Sequence, residues 1–260
     1  MDIVKGWINE IRNMGGIKFI ILRNRDGLFQ VTIPKKKVGE DLFSMVDSLN
    51  REDVIVVEGT AQEARSRDFE TEIIPLDIKV INKSDAPLPL DPSEKVRAEL
   101  ETRLDNRFLD IRRPRIAAIF KVRHSLVKFA REYLDCQGFL EIHTSKIISS
   151  ASEGGTELFP IRYFEKDAYL TQSPQLYKQM AMAGGLGRIY EIAWYFRAEE
   201  HNTTRHLNES TAIDIEMSFI ESEEDVMSVL ENLIHHSLKG LKDQCKEELL
   251  LLGVDLKVPA

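Results

Sequence analysis

Apolar and polar residues alternate in short runs along the N-terminal part of the chain, which is the pattern of half-buried β-strands. The runs lie at positions 4–12, 17–23, 28–33, 54–61 and 73–81. Between the third and the fourth run, the apolar residues of segment 42–49 recur at helical spacing and predict a short helix. The N-terminal part is therefore predicted to contain five strands, with one helix after the third.

This order of elements is that of the OB-fold, a small β-barrel whose strand face and loops bind oligonucleotides. Phe29 and Gln30 lie on the third predicted strand, which would face such a ligand. An aromatic ring there can stack on an unpaired base, and a glutamine can hydrogen-bond to the base edge. Phe29 fits the barrel core equally well, because a small barrel needs large apolar side chains to fill it. The sequence leaves these two roles of Phe29 open.

Three prolines between positions 86 and 92 mark a stiff connection, because proline fits neither a central strand nor a helix interior. We therefore predict an N-terminal domain at 1–84, a proline-rich hinge at 85–105 and a second domain at 106–260. In the second domain, Pro114 suits the first turn of a long amphipathic helix and Gly138 suits its end. A last helix is predicted to begin near Ser222, with Asp225 as its capping partner.

A long polar segment between two alternating apolar runs is the most informative part of the second domain. The runs at 189–196 and 213–219 predict two antiparallel strands, and loops as long as the one between them are usually functional. This loop carries Arg197, Arg205 and His206, which can converge on one polyanion. Arginine suits phosphate because its guanidinium donates two parallel hydrogen bonds. A solvated charged hairpin is the alternative, and for a charge run alone it is the commoner explanation.

Composition limits the class of protein. Hydrophobic residues make up 43% of the 260 positions and charged residues 30%, as in soluble globular proteins. No apolar run is long enough to span a bilayer and the N-terminus lacks a signal-peptide pattern, so we expect a cytoplasmic protein without a membrane segment. The formal charge of −8 counts against a generic nucleic-acid binder, although the patches at 35–37 and 65–67 are locally basic. Cys136 and Cys245 predict neither a disulfide framework nor a metal cluster.

The segment 187–219 closely resembles motif 2 of the class II aminoacyl-tRNA synthetases, and among them the aspartyl-tRNA synthetases of the archaeal and eukaryotic type. The similarity extends to their anticodon-binding domain at 16–19 and 23–27 and, over 114–142, to the dimer-forming motif 1. Ser145 departs from the family pattern, in which proline follows the threonine. The resemblance implies an α+β fold with an N-terminal OB-fold β-barrel, followed by a partial class II antiparallel-sheet catalytic domain.

The resemblance also implies which residues bind the substrates. For ATP these are Arg197, Ala198, Glu199, Arg205, His206 and Leu207. For aspartate these are Glu153, Gln175, Leu176, Tyr177, Lys178 and Arg197. Arg197 would be the catalytic residue, since it contacts the α-phosphate and the substrate carboxylate and stabilises the transition state. Glu199 would hold the adenine amino group, and Glu153 would reach the α-ammonium group from a glycine-containing flap.

Lys178 is the main reason for choosing aspartate as the substrate. Gln175 and Lys178 share one face of a predicted short helix, and the resemblance puts this face in the amino-acid pocket. An ammonium in a closed pocket needs an anion, and asparagine would leave it unpaired at a cost of roughly 3–5 kcal/mol. The related asparaginyl enzymes generally lack a lysine there. An asparaginyl-tRNA synthetase and a non-catalytic tRNA-binding or regulatory paralogue are the alternatives.

Cofactors and partners also follow from the resemblance. It implies ATP and Mg²⁺ as cofactors, and it implies tRNA(Asp), L-aspartate and a second copy of the chain, paired through motif 1, as partners. Whether tRNA(Asn) is also charged stays open. No segment resembles motif 3, which in the family supplies two substrate-binding arginines and the acidic magnesium ligands. We therefore assign no metal ligand within this chain and expect a truncated form of the family's catalytic domain.

Overall fold

The computed structural model describes residues 1–66, 68–93, 95–150, 158–200, 203 and 206–259. Contacts between residues divide the chain into two compact units, Met1–Arg113 and Pro114–Ala260. Within the described residues, every helix is too short or too polar to cross a membrane.

The first unit is built around a closed five-stranded barrel. Its strands are β1 (Asp2–Asn13), β2 (Ile17–Asn24), β3 (Gly27–Pro34), β4 (Val54–Glu63) and β5 (Thr71–Asn82). They close in the order β1-β2-β3-β5-β4, with β3 and β5 parallel and the other pairs antiparallel. Between β3 and β4 lie α1 (Lys35–Val38), α2 (Glu40–Met45) and a 3₁₀ turn (Val46–Ser48). The predicted five-stranded barrel is confirmed.

Alternation along each strand decides what fills the barrel. The apolar residues of the barrel strands that are entirely inaccessible to solvent are Ile8, Ile20, Leu22, Val31, Ile33, Ile55 and Val57. Glycines stand where neighbouring strands come too close for a side chain. A Cβ at Gly59 would lie 2.3 Å from the carbonyl oxygen of Ile74, and one at Gly6 would lie 2.6 Å from that of Arg23. Such close backbone approach is a recognised reason for glycine within a strand.

The proline-rich connection is attached to the barrel by the loop that precedes β4. Arg51 donates to the carboxylate of Asp91 at 2.8 Å, and Asp53 accepts from the backbone N–H of Ser84 at 2.8 Å. Beyond the prolines, α3 (Leu100–Asp105) and α4 (Arg107–Asp110) follow. By its contacts, the whole segment 85–113 belongs to the first unit.

The second unit combines helices with two small sheets. The helices are α5 (Pro114–Cys136), α6 (Gln175–Ala183), α7 (Glu223–Gln244) and α8 (Lys246–Leu252). The strands are β6 (Leu140–Glu141), β7 (Ile147–Ile148), β8 (Pro160–Tyr163), β9 (Lys166–Leu170), β10 (Arg188–Phe196) and β11 (Glu209–Met217). One sheet has the order β11-β10-β6 and the other the order β7-β9-β8. The predicted start of α7 is confirmed, because Ser222 and Asp225 form a reciprocal capping box.

The sheet β11-β10-β6 separates an apolar face from a polar one. Tyr190 and Ile192 of β10 belong to a core that also contains Leu134 of α5 and Leu233 of α7. Because successive side chains point to opposite faces of a strand, Glu191 lies on the face turned away from this core. The candidate residues of the second unit are positioned by this polar face.

Candidate functional site

Arg197 is positioned by an unusually regular hairpin. β10 and β11 pair without interruption from Arg188 opposite Met217 to Phe196 opposite Glu209. The backbone N–H of Arg197 then donates to the carbonyl of Asn208 at 2.9 Å, which extends the ladder by one residue. The side chain is exposed, and its guanidinium lies 5.2 Å from the centre of the Tyr195 ring. Arg197 therefore presents a cation at the end of a fixed strand.

The other residues predicted to bind ATP lie in the loop after Arg197. Ala198 and Glu199 are half-buried, whereas Leu207 is exposed. The hydroxyl of Thr203 and the Nδ1 atom of His206 are hydrogen-bonded at 2.7 Å. Arg205 lies outside the described residues, so its convergence with Arg197 and His206 stays a prediction.

The candidate residues of α6 divide between two sides of the helix. Lys178 is buried and contacts β11. Leu176 and Tyr177 instead line a cavity of about 510 Å³, together with Met180 and the segment 148–150. At the start of α6, the backbone N–H of Gln175 donates to the Ser173 hydroxyl at 3.1 Å. Glu153, the predicted ligand of the α-ammonium group, lies outside the described residues.

Lys178 is surrounded by acceptors from one strand. Its Nζ atom donates to the carboxylate of Asp214, to the carboxylate of Glu216 at 3.0 Å and to the carbonyl of Ile215 at 3.2 Å. A lysine ammonium has three N–H donors, so these partners can use all of them. Burial lowers the pKa of Lys178, but the hydrogen bonds to Asp214 and Glu216 outweigh burial and raise the pKa above its ordinary value. The ammonium is therefore charged at neutral pH.

A second buried ion pair lies beside this one on the same sheet. Glu191 stands directly opposite Asp214 in the β10–β11 register. Its carboxylate accepts from Lys146 at 2.7 Å and from the backbone N–H and hydroxyl of Thr144 at 3.0 and 2.9 Å. None of these groups was predicted from the sequence. The signal for them was present, since Glu191 interrupts an otherwise apolar run and Asp214 and Glu216 share one face of the next strand.

The barrel carries a separate candidate site on its outer surface. A cavity of about 400 Å³ lies over β2, β3 and β5. Its floor includes Phe19, Ile21, Gln30, Thr32 and Glu72, and its rim includes Arg12, Lys37 and Arg65. The register explains this grouping, because Phe19 stands opposite Thr32, Ile21 opposite Gln30, and Gln30 opposite Glu72. The cavity thus combines an aromatic ring, polar groups and a cationic rim.

Glu72 fixes the polar groups of this barrel cavity. One carboxylate oxygen accepts from Thr32 at 2.6 Å and from Gln30 at 3.0 Å, and the other accepts from Gln62 at 2.7 Å. Burial raises the pKa of Glu72, but the three hydrogen bonds outweigh burial and lower it below its ordinary value. The carboxylate is therefore ionised at neutral pH, and it holds the amide of Gln30 in one orientation.

Phe29 takes the second of the two roles that the sequence left open. It packs against the barrel core, because it alternates in step with the buried residues Val31 and Ile33. Its prediction as a base-stacking residue on the ligand face is therefore wrong. The aromatic ring on that face belongs to Phe19, and Gln30 lines the same cavity; its contact with a base edge stays a prediction. Counting the alternation back from Val31 along β3 would have placed Phe29 on the core face.

Sequence profiles of two families match the chain. The profile of the class II tRNA synthetases (D, K and N) covers residues 99–259, and that of the OB-fold nucleic-acid-binding domain covers residues 3–81.

Two curated relatives match nearly the whole chain. The Aspartate–tRNA(Asp) ligase of Thermococcus kodakarensis is 55% identical over 256 residues, which is 98% of this chain and 58% of the relative. The Aspartate–tRNA(Asp/Asn) ligase of Methanopyrus kandleri is 56% identical over 251 residues, which is 96% of this chain and 58% of the relative. The chain thus spans somewhat more than half the length of these relatives.

Solved structures show the same arrangement of elements. The asparaginyl-tRNA synthetase of Pyrococcus horikoshii, complexed with asparaginyl-adenylate, is 32% identical with a TM-score of 0.89. It is matched over 96% of this chain and 56% of its own length. A putative aspartyl-tRNA synthetase of Leishmania major is 29% identical with a TM-score of 0.85. It is matched over 96% of this chain and 51% of its own length. The predicted fold class, an OB-fold barrel followed by a partial class II catalytic domain, is confirmed.

Proposed function

Because the chain belongs to the class II tRNA synthetases of the D, K and N group, we propose that it binds ATP, L-aspartate and tRNA(Asp) and forms aspartyl-tRNA. In this reaction the α-carboxylate of aspartate attacks the α-phosphorus of ATP and pyrophosphate leaves. A ribose hydroxyl of the terminal adenosine of the tRNA then attacks the acyl carbon of the adenylate, the acyl–phosphate bond breaks, and AMP leaves. Both steps depend on positioning and charge stabilisation rather than on a protein nucleophile. The relatives named as aspartate–tRNA ligases support the choice of reaction.

The observation that carries the proposal is the placement of two cations on one sheet face. Lys178 is bound to Asp214, which stands opposite Glu191. Arg197 follows Glu191 by six residues, so alternation puts both on the same face, about 20 Å apart along the strand. The Arg197 guanidinium lies 5.2 Å from the centre of the ring of Tyr195, a residue two positions closer to Glu191 along the chain. The arrangement suits a ligand with a carboxylate at one end and a phosphate at the other.

Lys178 remains our proposed determinant of aspartate over asparagine. Its three donors are engaged by Asp214, Ile215 and Glu216, so a substrate carboxylate would have to replace one of these acceptors. An anion can make that replacement without leaving the ammonium unpaired, whereas a neutral carboxamide is a weaker acceptor for it.

The barrel cavity is the proposed site for the anticodon of the tRNA. Phe19 offers a stacking surface, Gln30 offers an amide held in place by Glu72, and the cationic rim suits the RNA backbone. Recognition of tRNA(Asn) as well as tRNA(Asp) is a second proposal, because relatives of both specificities match equally well. A homodimer paired through motif 1 stays a prediction.

Magnesium would accompany ATP, but no residue here is assigned to it. Within the described ranges, no group of three or more His, Cys, Asp or Glu side chains is placed to hold a metal ion.

Binding measurements test the proposal without requiring complete turnover. Isothermal titration calorimetry of the chain with ATP, aspartate and asparagine should show binding of ATP and a preference for aspartate. Aspartate-dependent exchange between ATP and pyrophosphate should accompany binding wherever the protein is catalytically competent. Absence of both ATP and aspartate binding in the folded protein would refute the proposal and favour the non-catalytic alternative.

Arg197→Ala should weaken ATP binding and slow any pyrophosphate exchange by about 10²–10³-fold, the typical effect of losing one donor that stabilises the transition state. Arg162→Ala is the control, since Arg162 is also an exposed arginine and lies on the β8–β9 hairpin. If both variants behave like the unmodified protein, Arg197 does not have the proposed role.

A further inference from the structure

We propose that Glu191 is a positioning residue for the amino-acid site: it fixes the segment 144–146 and, through it, the start of α6. This inference rests on the proposed function, because it concerns how aspartate is bound. Glu191 itself is 2% exposed and lies beneath the site. Its carboxylate is therefore unsuited to contact the substrate directly.

Glu191 forms an unusual pair with Asp214. These carboxylates stand directly opposite each other on β10 and β11, where side chains are typically about 5 Å apart. Like charges in such a pair destabilise a sheet unless cations compensate them. Lys146 compensates Glu191 and Lys178 compensates Asp214, each reaching the sheet from a different segment of the chain. The carboxylate pair thus attaches two separate segments to adjacent strands.

A chain of hydrogen bonds leads from Glu191 to α6. Lys146, which donates to Glu191, accepts at its carbonyl the backbone N–H of Thr171 at 3.0 Å. The Thr171 hydroxyl donates to the carbonyl of Ser173 at 2.9 Å, and the Ser173 hydroxyl accepts from the N–H of Gln175. The segment held by Glu191 therefore sets the position of the first residue of α6. Lys178 follows one turn later.

The same hydrogen-bonded path also reaches the residue that precedes Arg197. Thr171 is entirely buried, and its carbonyl accepts the backbone N–H of Phe196 at 2.8 Å. Phe196 immediately precedes Arg197, the proposed phosphate-binding residue. Thr171 is thus a junction between the segment held by Glu191, the start of α6 and the end of β10. Phe196 is also held in the β10–β11 ladder opposite Glu209, so a shift of Lys146 is expected to displace the start of α6 more than the end of β10.

The test compares the affinities for two ligands in the variants Glu191→Gln and Lys146→Met. Each should weaken aspartate binding by about tenfold, the size typical of a residue that acts through its neighbours, while ATP binding changes less than about twofold. The double variant should bind aspartate no more weakly than Glu191→Gln alone, because both changes remove the same ion pair. Lys146 keeps 30% exposure, so Lys146→Met serves as the test if Glu191→Gln fails to fold.

The matched control is the Lys121–Glu248 ion pair, which joins α5 to α8 at 3.2 Å in the same unit. Glu248→Gln should leave the affinities for aspartate and ATP unchanged. Equal losses of affinity for aspartate and ATP in Glu191→Gln would indicate a general structural role and overturn the proposal.

Amide hydrogen exchange separates this inference from the proposed function. In the absence of ligand, Glu191→Gln should accelerate exchange in residues 144–150 and 171–176 but not in α8. If the unmodified protein binds no aspartate, the proposed function fails, and the exchange rates alone decide the role of Glu191. Unchanged exchange in both segments would overturn the positioning role, whatever the outcome for aspartate.

Discussion

Replacing Lys178 with methionine is expected to destabilise the second unit more than removing either carboxylate beside it. The ammonium is 4% exposed and is the shared partner of Asp214 and Glu216. Without it, two negative charges would remain on one face of β11 with no cation between them. Removal of either carboxylate, in contrast, leaves Lys178 with one anionic partner and the carbonyl of Ile215.

The expected magnitude follows from burial. Removing one partner of a buried ion pair costs about 3–5 kcal/mol, because an uncompensated charge remains. The carboxylates keep 25% and 24% exposure and thus some hydration, so Lys178→Met should cost about 3 kcal/mol, the lower end of that range. Asp214→Asn preserves an acceptor and should cost only about 1 kcal/mol. Lys128→Met, which removes an exposed i,i+4 pair of α5, should cost less than about 0.5 kcal/mol.

Urea denaturation of a Trp7→Phe background measures these differences in the second unit alone. The chain contains two tryptophans, so in this background the tryptophan fluorescence comes from Trp194 on β10 alone. Each variant should be compared at equal protein concentration by fluorescence and by circular dichroism. A smaller loss of stability in Lys178→Met than in Asp214→Asn would refute the idea that one ammonium compensates both carboxylates.

Two further predictions concern the barrel. Phe19→Ala should weaken binding of a stem–loop RNA with the aspartate anticodon by about tenfold or more, as expected for a lost stacking contact, with little loss of stability. Phe29→Ala should instead lower the free energy of unfolding by about 3 kcal/mol, because it leaves a cavity in the barrel core. Fluorescence anisotropy measures RNA binding by the two variants, and urea denaturation measures their stability. A loss of RNA binding in Phe29→Ala together with a loss of stability in Phe19→Ala would contradict the roles given to these residues. Because the pKa of Glu72 is lower in the folded protein than its ordinary value of 4.5, the ionised carboxylate stabilises the barrel at pH values above 4.5. This stabilisation is lost as the pH falls through the lower pKa of the folded state. The stability difference between the parent and Glu72→Gln should therefore be constant above about pH 4.5 and shrink below it; a difference that grows in acid would contradict the shift.

Local rules predicted most elements of the fold, because they depend on a few neighbouring residues. The capping box of Ser222 and Asp225 and the start of α5 at Pro114 are of this kind. The partners of Lys178 were not predicted, because its contacts with Asp214 and Glu216 join positions 36 and 38 residues apart along the chain. The sequence could indicate that a buried lysine needs an anion, but it could not show that the protein already supplies two.

Both candidate sites are built in the same way, on the polar face of a sheet and around a buried carboxylate. In each unit, strand alternation leaves one sheet face against an apolar core and the other face polar, and the polar face carries a buried carboxylate. Glu72 uses its acceptor positions to orient Gln30 and Thr32, and Glu191 uses its own to hold Thr144 and Lys146. A buried carboxylate is tolerated only when its acceptor positions are satisfied, so it fixes its partners more strictly than an exposed one would. Recognition residues fixed in this way lose little conformational entropy on binding, which increases affinity without any additional contact to the ligand.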